Sequence, residues 1–203
     1  MEADIYLSLK KRSEGLFKSK GSKHFSYGVP VKSEKDVKNF IDKLKIEHSG
    51  AGHFCYAYRL GHDGEKYRSN DDGEPYNSAG PPILGVLKSR DLTNTLIVVV
   101  RYFGGTKLGV SGLIEAYRQA ALDAVQNGVV VKNFRSKILK ISCSYNKMGD
   151  VMNILKISNI KPYNIDFQNN CSLEINIRQK VSDSILNQLV ELSEVQIEIL
   201  HEG

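Results

Sequence analysis

Residues 137–155 read KILKISCSYNKMGDVMNIL, and along this run the apolar period changes from two residues to that of a helix. Leu139, Ile141, Cys143 and Tyr145 alternate with Lys140, Ser142 and Ser144, the pattern of a strand with one buried face. Met148, Val151, Met152 and Leu155 then recur at helical spacing. Further out, Tyr163/Ile165/Phe167 and Cys171/Leu173/Ile175/Ile177 return to period two, and Gln168-Asn169-Asn170 between them supplies hairpin chemistry. Ile185, Leu186, Leu189 and Val190 make a second helical stripe, and Val195/Ile197/Ile199 a last strand. The order β-α-β-β-α-β predicts a ferredoxin-like domain over 137–203. Its boundary falls near Asn133-Phe134-Arg135-Ser136.

Residues 1–136 also mix helix and strand, which makes the chain an α+β protein of two domains. Ser33 reads as an N-cap with Asp36 three residues on and the stripe Val37/Phe40/Ile41/Leu44 behind it. His53 to Leu60 reads as a strand, and 62–82, polar and rich in Gly, Asp and Pro, as one long loop. Ile83 to Leu87 predicts a short helix. Leu96 to Phe103 is an apolar, β-branched strand of the kind buried on both faces. A glycine-rich turn then leads into a helix through Leu113, Tyr117 and Val125, with Gly128 placed as its C-cap.

The chain has 203 residues, 41% hydrophobic and 25% charged, and its longest apolar run is far short of the roughly 20 residues that cross a bilayer. No membrane role is expected. The N-terminus shows no basic start, apolar stretch or cleavage pattern of a secretory signal. Cys55, Cys143 and Cys171 stand far apart, as in a reducing, cytoplasmic protein. The net charge of +5 is uneven: +6 over residues 1–136, with +7 within 10–45, against −1 over 137–203. Such a field attracts polyanions.

Two segments carry residue types that could do chemistry. Arg101-Tyr102-Phe103-Gly104-Gly105-Thr106-Lys107-Leu108-Gly109 joins the apolar strand to the following helix. Glycines that turn backbone N–H groups outward, a nearby lysine and a helix start suit an anion. It is not a nucleotide-binding P-loop, because Val110 stands where that pattern needs Lys. In Asn70-Asp71-Asp72-Gly73-Glu74-Pro75, three carboxylates in four residues could act as acid and base or hold Mg²⁺, or could simply make a turn. His53 and Cys55 alternate on one strand and so share a face, with packing as the expected role. No metal set and no nucleophile motif is recognisable.

Taken together, HFCYAY (53–58), DDGEP (71–75), AGPPILGVL (79–87) and LTNTLIVVVRYFGGTKLGVSGLIEAYRQAA (92–121) closely resemble the IMPACT/YigZ family, from about residue 15 to the C-terminus. The family's Asp-Asp-Gly-Glu-Pro maps onto Asp71 to Pro75, its Arg-Tyr-Phe-Gly-Gly onto Arg101 to Gly105, and its Lys-Leu-Gly onto Lys107 to Gly109. The resemblance implies an N-terminal domain like ribonuclease PH and elongation factor G domain IV, and a C-terminal domain like elongation factor G domain V. It also implies a link to translation and to the stress response, since eukaryotic members act through the kinase that senses amino-acid starvation. This sequence departs from the pattern at Asn70, where Ser is usual, at Ser111, where Gly is usual, and at Glu115, where Arg is common and where a negative charge in the first helical turn would repel an anion.

The leading expectation is a non-enzymatic, cytoplasmic regulator that binds RNA, the ribosome or translation factors and has no cofactor, with a protein partner as a further possibility. Its binding residues would be Lys18, Lys20, Lys23, Arg101, Gly104, Gly105, Lys107 and Gly109. The alternative is a Mg²⁺-dependent hydrolase or transferase acting on a phosphorylated small molecule or nucleic acid, with Asp71, Asp72 and Glu74 as catalytic candidates. The topology further predicts an ion pair from Asp71 or Asp72 to Arg101 or Lys107.

Overall fold

The run Leu96 to Val100 can be buried only in the middle of a sheet covered on both faces, and the computed structural model places it there. The structure describes residues 4–167 and 171–202. The chain forms two compact units, residues 6–133 and residues 4–5 with 134–202.

In the larger unit the elements run β1 (Ile5–Leu9), β2 (Ser13–Ser19), β3 (Ser22–Pro30), α1 (Glu34–Glu47), β4 (His53–Leu60), β5 (Lys66–Asn70), α2 (Gly80–Ser89), β6 (Thr95–Tyr102), α3 (Gly109–Gln126) and β7 (Val130–Phe134). β1 pairs with β7 in a two-stranded sheet. The main sheet has the order β2-β3-β6-β4-β5, antiparallel throughout. Side chains of β6 alternate between two cores. Ile97 and Val99 pack with Cys55, Ala57, α2 and α3, while Leu96, Val98 and Val100 pack with Tyr27, Val29, Phe54, Tyr58 and α1. The result is three layers, one helix on one face of the sheet and two on the other. α3 crosses β2 so closely that a Cβ at Gly15 would lie 2.6 Å from the Ala124 backbone nitrogen. Ser33 caps α1, its Oγ accepting from Asp36 N at 3.2 Å while the Asp36 carboxylate accepts from Lys32 N at 3.0 Å.

Three local expectations are corrected. Residues 62–82 contain the strand β5, whose sequence KYRSN has no buried face to alternate because it is the sheet's edge. Glu115 lies in the second turn of α3, which starts at Gly109, and is paired with Arg118 and Gln119 rather than facing the glycine loop. Gly128 does not adopt the left-handed conformation of a C-cap; a Cβ there would sit 2.7 Å from Leu9 Cδ2, so close packing selects glycine.

The smaller unit runs β8 (Ser136–Cys143), α4 (Tyr145–Ile157), β9 (Tyr163–Asp166), β10 (Cys171–Arg178), α5 (Gln179–Val190) and β11 (Val195–Glu202). Its antiparallel sheet has the order β11-β8-β10-β9, with Leu139, Ile141, Leu173 and Ile175 facing Val151, Leu155, Ile185 and Leu189 of the helices. Gln168-Asn169-Asn170 lie outside the described residues. Asp4 accepts from Arg178 Nε at 2.5 Å and Nη2 at 3.0 Å, and this hydrogen-bonded cation holds its carboxyl below the ordinary range.

Candidate functional site

Register brings three chemically capable side chains into one row across the sheet. His24 on β3 lies opposite Arg101 on β6, and Arg101 lies opposite His53 on β4. By the two-residue alternation of strands this row faces the α3 side, one step beyond Val99 and Cys55. Tyr117 of α3 closes over it, fully buried, its ring edge-on to His24 with centroids 5.3 Å apart.

The acidic turn supplies the carboxylate that completes this cluster. Asp72 (φ +43°) and Gly73 (φ +85°) take left-handed conformations and turn Glu74 inward, where its side chain is 3% exposed. Glu74 Oε1 accepts from Arg101 Nη1 at 2.6 Å and from the Tyr117 hydroxyl at 2.7 Å, and His53 Nε2 lies 4.0 Å away. His53 Nδ1 donates to the Asp72 carbonyl at 2.8 Å, which fixes that ring as the Nδ1–H tautomer when neutral. Both ring nitrogens of His24, and Arg101 Nε, find no partner of acceptable hydrogen-bond geometry among the described residues. Burial and the adjacent Arg101 charge pull the His24 imidazole down to about 4, although the Phe17 backbone and Glu74 oppose the shift. Burial drives the Tyr117 phenol far above its ordinary value, with neighbouring Cys55 and Glu74 adding to it. Burial likewise pushes the Cys55 thiol up, so it stays protonated, donating to the Asp71 carbonyl at 2.9 Å.

The expected ion pair of Asp71 or Asp72 with Arg101 or Lys107 is therefore corrected: Glu74 is the partner of Arg101. Asp71 instead accepts from Ala79 N at 2.9 Å and Gly80 N at 2.8 Å through Oδ1, and from Asn77 N at 2.9 Å through Oδ2, which secures the start of α2. Asp72 Oδ2 accepts from Phe54 N at 2.6 Å, and Asn70 Oδ1 accepts from Asp72 N at 2.7 Å. The three carboxylates offered as catalytic candidates thus have three separate sets of partners. Among the described residues no group of three or more His, Cys, Asp or Glu side chains is arranged to hold a metal ion.

The remaining binding candidates lie on the β2–β3 hairpin and on the glycine loop. Lys18, Lys20, Lys23, Gly104, Gly105, Lys107 and Gly109 are exposed, whereas Arg101 is buried behind them. Lys20 (φ +44°) and Gly21 (φ +80°) turn the β2–β3 hairpin, and Lys18 and Lys23 are directly opposed across it. The hairpin tip is locked to the glycine loop: Gly104 N donates to Ser22 Oγ at 3.1 Å, and a Cβ on Gly104 would come within 1.9 Å of the Gly21 carbonyl carbon. Residues separated by most of the domain's sequence thus share one exposed basic edge. Sequence reasoning did not single out His24; it placed Tyr117 on the buried, alanine-rich stripe of its helix, which is where the structure has it, but nothing there marks it as a donor to Glu74.

Residues 20–125 match the family model described as the Impact N-terminal domain. The chain is 33% identical to the IMPACT family member YvyE of Bacillus subtilis over 93% of this chain and 87% of that protein. It is 31% identical to an IMPACT family member of Haemophilus influenzae, over 86% and 85% of the two chains. A crystal structure of a hypothetical protein superimposes with a TM-score of 0.73 at 24% identity, covering 98% of this chain and 99% of that one, a likeness of fold. With a family model spanning half of its residues and a relative matched along nearly its whole length, this chain belongs to the IMPACT family.

Proposed function

We propose that this protein is a translation-associated, non-enzymatic regulator that binds RNA through the basic edge formed by the β2–β3 hairpin and the glycine loop. One observation carries the reading: Lys18 and Lys23 stand directly opposite each other in the hairpin register. Like charges in that position repel, and a phosphate between them relieves the repulsion. Lys20 stands at the hairpin tip and Lys107 on the glycine loop, which is anchored to that tip through Gly104. Membership of the IMPACT family supports the connection to translation. The antiparallel order β11-β8-β10-β9 supports a ferredoxin-like reading of the smaller unit, like elongation factor G domain V, beside a larger unit like ribonuclease PH and elongation factor G domain IV. Three free, buried cysteines suit work in the cytoplasm. Asp71, Asp72 and Glu74, each bonded to different groups, lend no support to hydrolysis.

The test is binding of the full chain to a single-stranded RNA oligomer, and to ribosomes, across a salt series. Four lysines neutralising phosphates give a slope of log affinity against log salt of about −3. Lys18→Gln/Lys23→Gln lowers that slope by about 1.4. No binding at low salt, or a slope near zero, overturns the proposal, and recovery of a protein partner alone replaces RNA with a docking role.

A further inference from the structure

The face of the sheet opposite the buried His24 cluster extends the lysine pair into a row that reaches β6. Lys18 on β2 pairs with Lys23 on β3, and Lys23 pairs with Tyr102 on β6. Strands lie about 4.8 Å apart, so the two lysine positions sit about 5 and 10 Å from the tyrosine in a single line. Beside this row opens a cleft of about 440 Å³ lined by Gly21, Lys23, Phe25, His48, Tyr102 and Phe103. Sites for small organic groups run from roughly 300 Å³ upward.

The walls are aromatic and held in place. His48 is hydrogen bonded through Nδ1 to the Tyr102 hydroxyl at 3.0 Å and through Nε2 to the Tyr27 hydroxyl at 2.6 Å. Phe25 meets Tyr102 edge-on with centroids 5.8 Å apart. Phe103 differs from these, because 59% of it is in solvent although it is a large apolar side chain on a folded loop. The Arg101 guanidinium carbon stands 5.6 Å from its ring centroid, and the Gly104–Gly21 contact keeps the loop that carries it against the hairpin. Phe103 is thus an exposed phenylalanine at the mouth of an aromatic cleft, one strand from Lys23.

We infer that this cleft receives an unstacked base of a single-stranded RNA, with Phe103 and Tyr102 as its stacking surface and Lys23 and Lys18 on the flanking phosphates. The inference builds on the RNA-binding reading above and names the form of nucleic acid that fits it. A flat π-face beside a basic track is the physical requirement for holding single strands without base readout. A duplex keeps its bases stacked inside and cannot offer one to the cleft.

The experiment uses the full chain and a short RNA carrying 2-aminopurine, whose fluorescence reports stacking, with a duplex of the same sequence as competitor. Wild type is expected to quench the probe on binding and to prefer the single strand. Phe103→Ala is expected to weaken single-strand binding about tenfold or more, abolish the quench and leave the salt slope unchanged. Phe103→Tyr restores both. Because Phe103 is exposed, its loss does not threaten folding, and an unchanged thermal midpoint checks this. Steep salt-dependent binding that Phe103→Ala leaves intact overturns the stacking inference and spares the RNA-binding reading. Equal affinity for duplex and single strand does the same. Absence of RNA binding in wild type removes both.

Discussion

Arg101 Nη1 and Glu74 Oε1 meet at 2.6 Å where their side chains are 7% and 3% exposed, so an ion pair lies almost wholly inside the larger unit. Burial makes the pair costly to split, since either partner alone is a charge without compensation. Arg101→Ala is expected to destabilise the protein by about 3–5 kcal/mol in urea unfolding. Replacing both groups with apolar residues, as in Arg101→Met/Glu74→Leu, is expected to recover much of the loss. A double variant as unstable as the single one would show that the cluster's geometry, rather than its charge, supports the fold.

His24 gives the larger unit a specific pH response. Its imidazole protonates near 6.5 when unfolded and near 4 when folded. Between these values the unfolded chain holds more protons, so this group leaves stability intact above about pH 6.5 and lowers it progressively down to pH 4. The loss is roughly 3 kcal/mol. Unfolding of wild type and His24→Gln at half-unit pH steps is expected to show a steeper loss in wild type between pH 6.5 and 4, the difference being the share of His24.

Asp71 accepts three backbone N–H groups, two of them at the start of α2. Asp71→Ala is expected to cost about 2 kcal/mol and Asp71→Asn about half as much, in the manner of a lost helix cap. Thermal or denaturant unfolding measures it, and a cost below a few tenths of a kcal/mol would contradict the assigned role.

The two glycines of the loop are needed for different reasons. Gly104→Ala drives a methyl group into the Gly21 backbone and must part the hairpin from the loop. Gly105→Ala meets open space and strains only a φ of +88°. Gly104→Ala is thus expected to be the more damaging, by about 2–3 kcal/mol against about 1. Equal effects would mean that the close contact yields more easily than two apposed backbones should.

What the sequence made legible follows from burial. Strands with one wet face, such as Leu139–Cys143, alternate visibly, and β6, dry on both sides, shows as a solid apolar run. β5 has no legible period because an edge strand with polar residues on both faces displays none. The site was harder to read. Three carboxylates crowd the 71–74 turn, and only the left-handed pair Asp72-Gly73 decides that Glu74 is the one turned inward. The row His24–Arg101–His53 is a product of strand register, which pairs residues from distant parts of the chain and leaves no local trace.

The strand order carries a consequence for how the protein is made. β3 and β4 are neighbours in sequence, separated by one helix, yet the partner that each requires is β6, which lies between them in the sheet. A nascent chain that has emerged as far as Asn70 therefore exposes two unsatisfied strand edges, one on β3 and one on β4, and the apolar faces meant for α2 and α3. These can close only after residues 95–102 have left the ribosome. Until that moment the larger unit is vulnerable to wrong pairing; insertion of the central strand closes the sheet, and the core on the α2/α3 side is completed only when residues 109–126 follow.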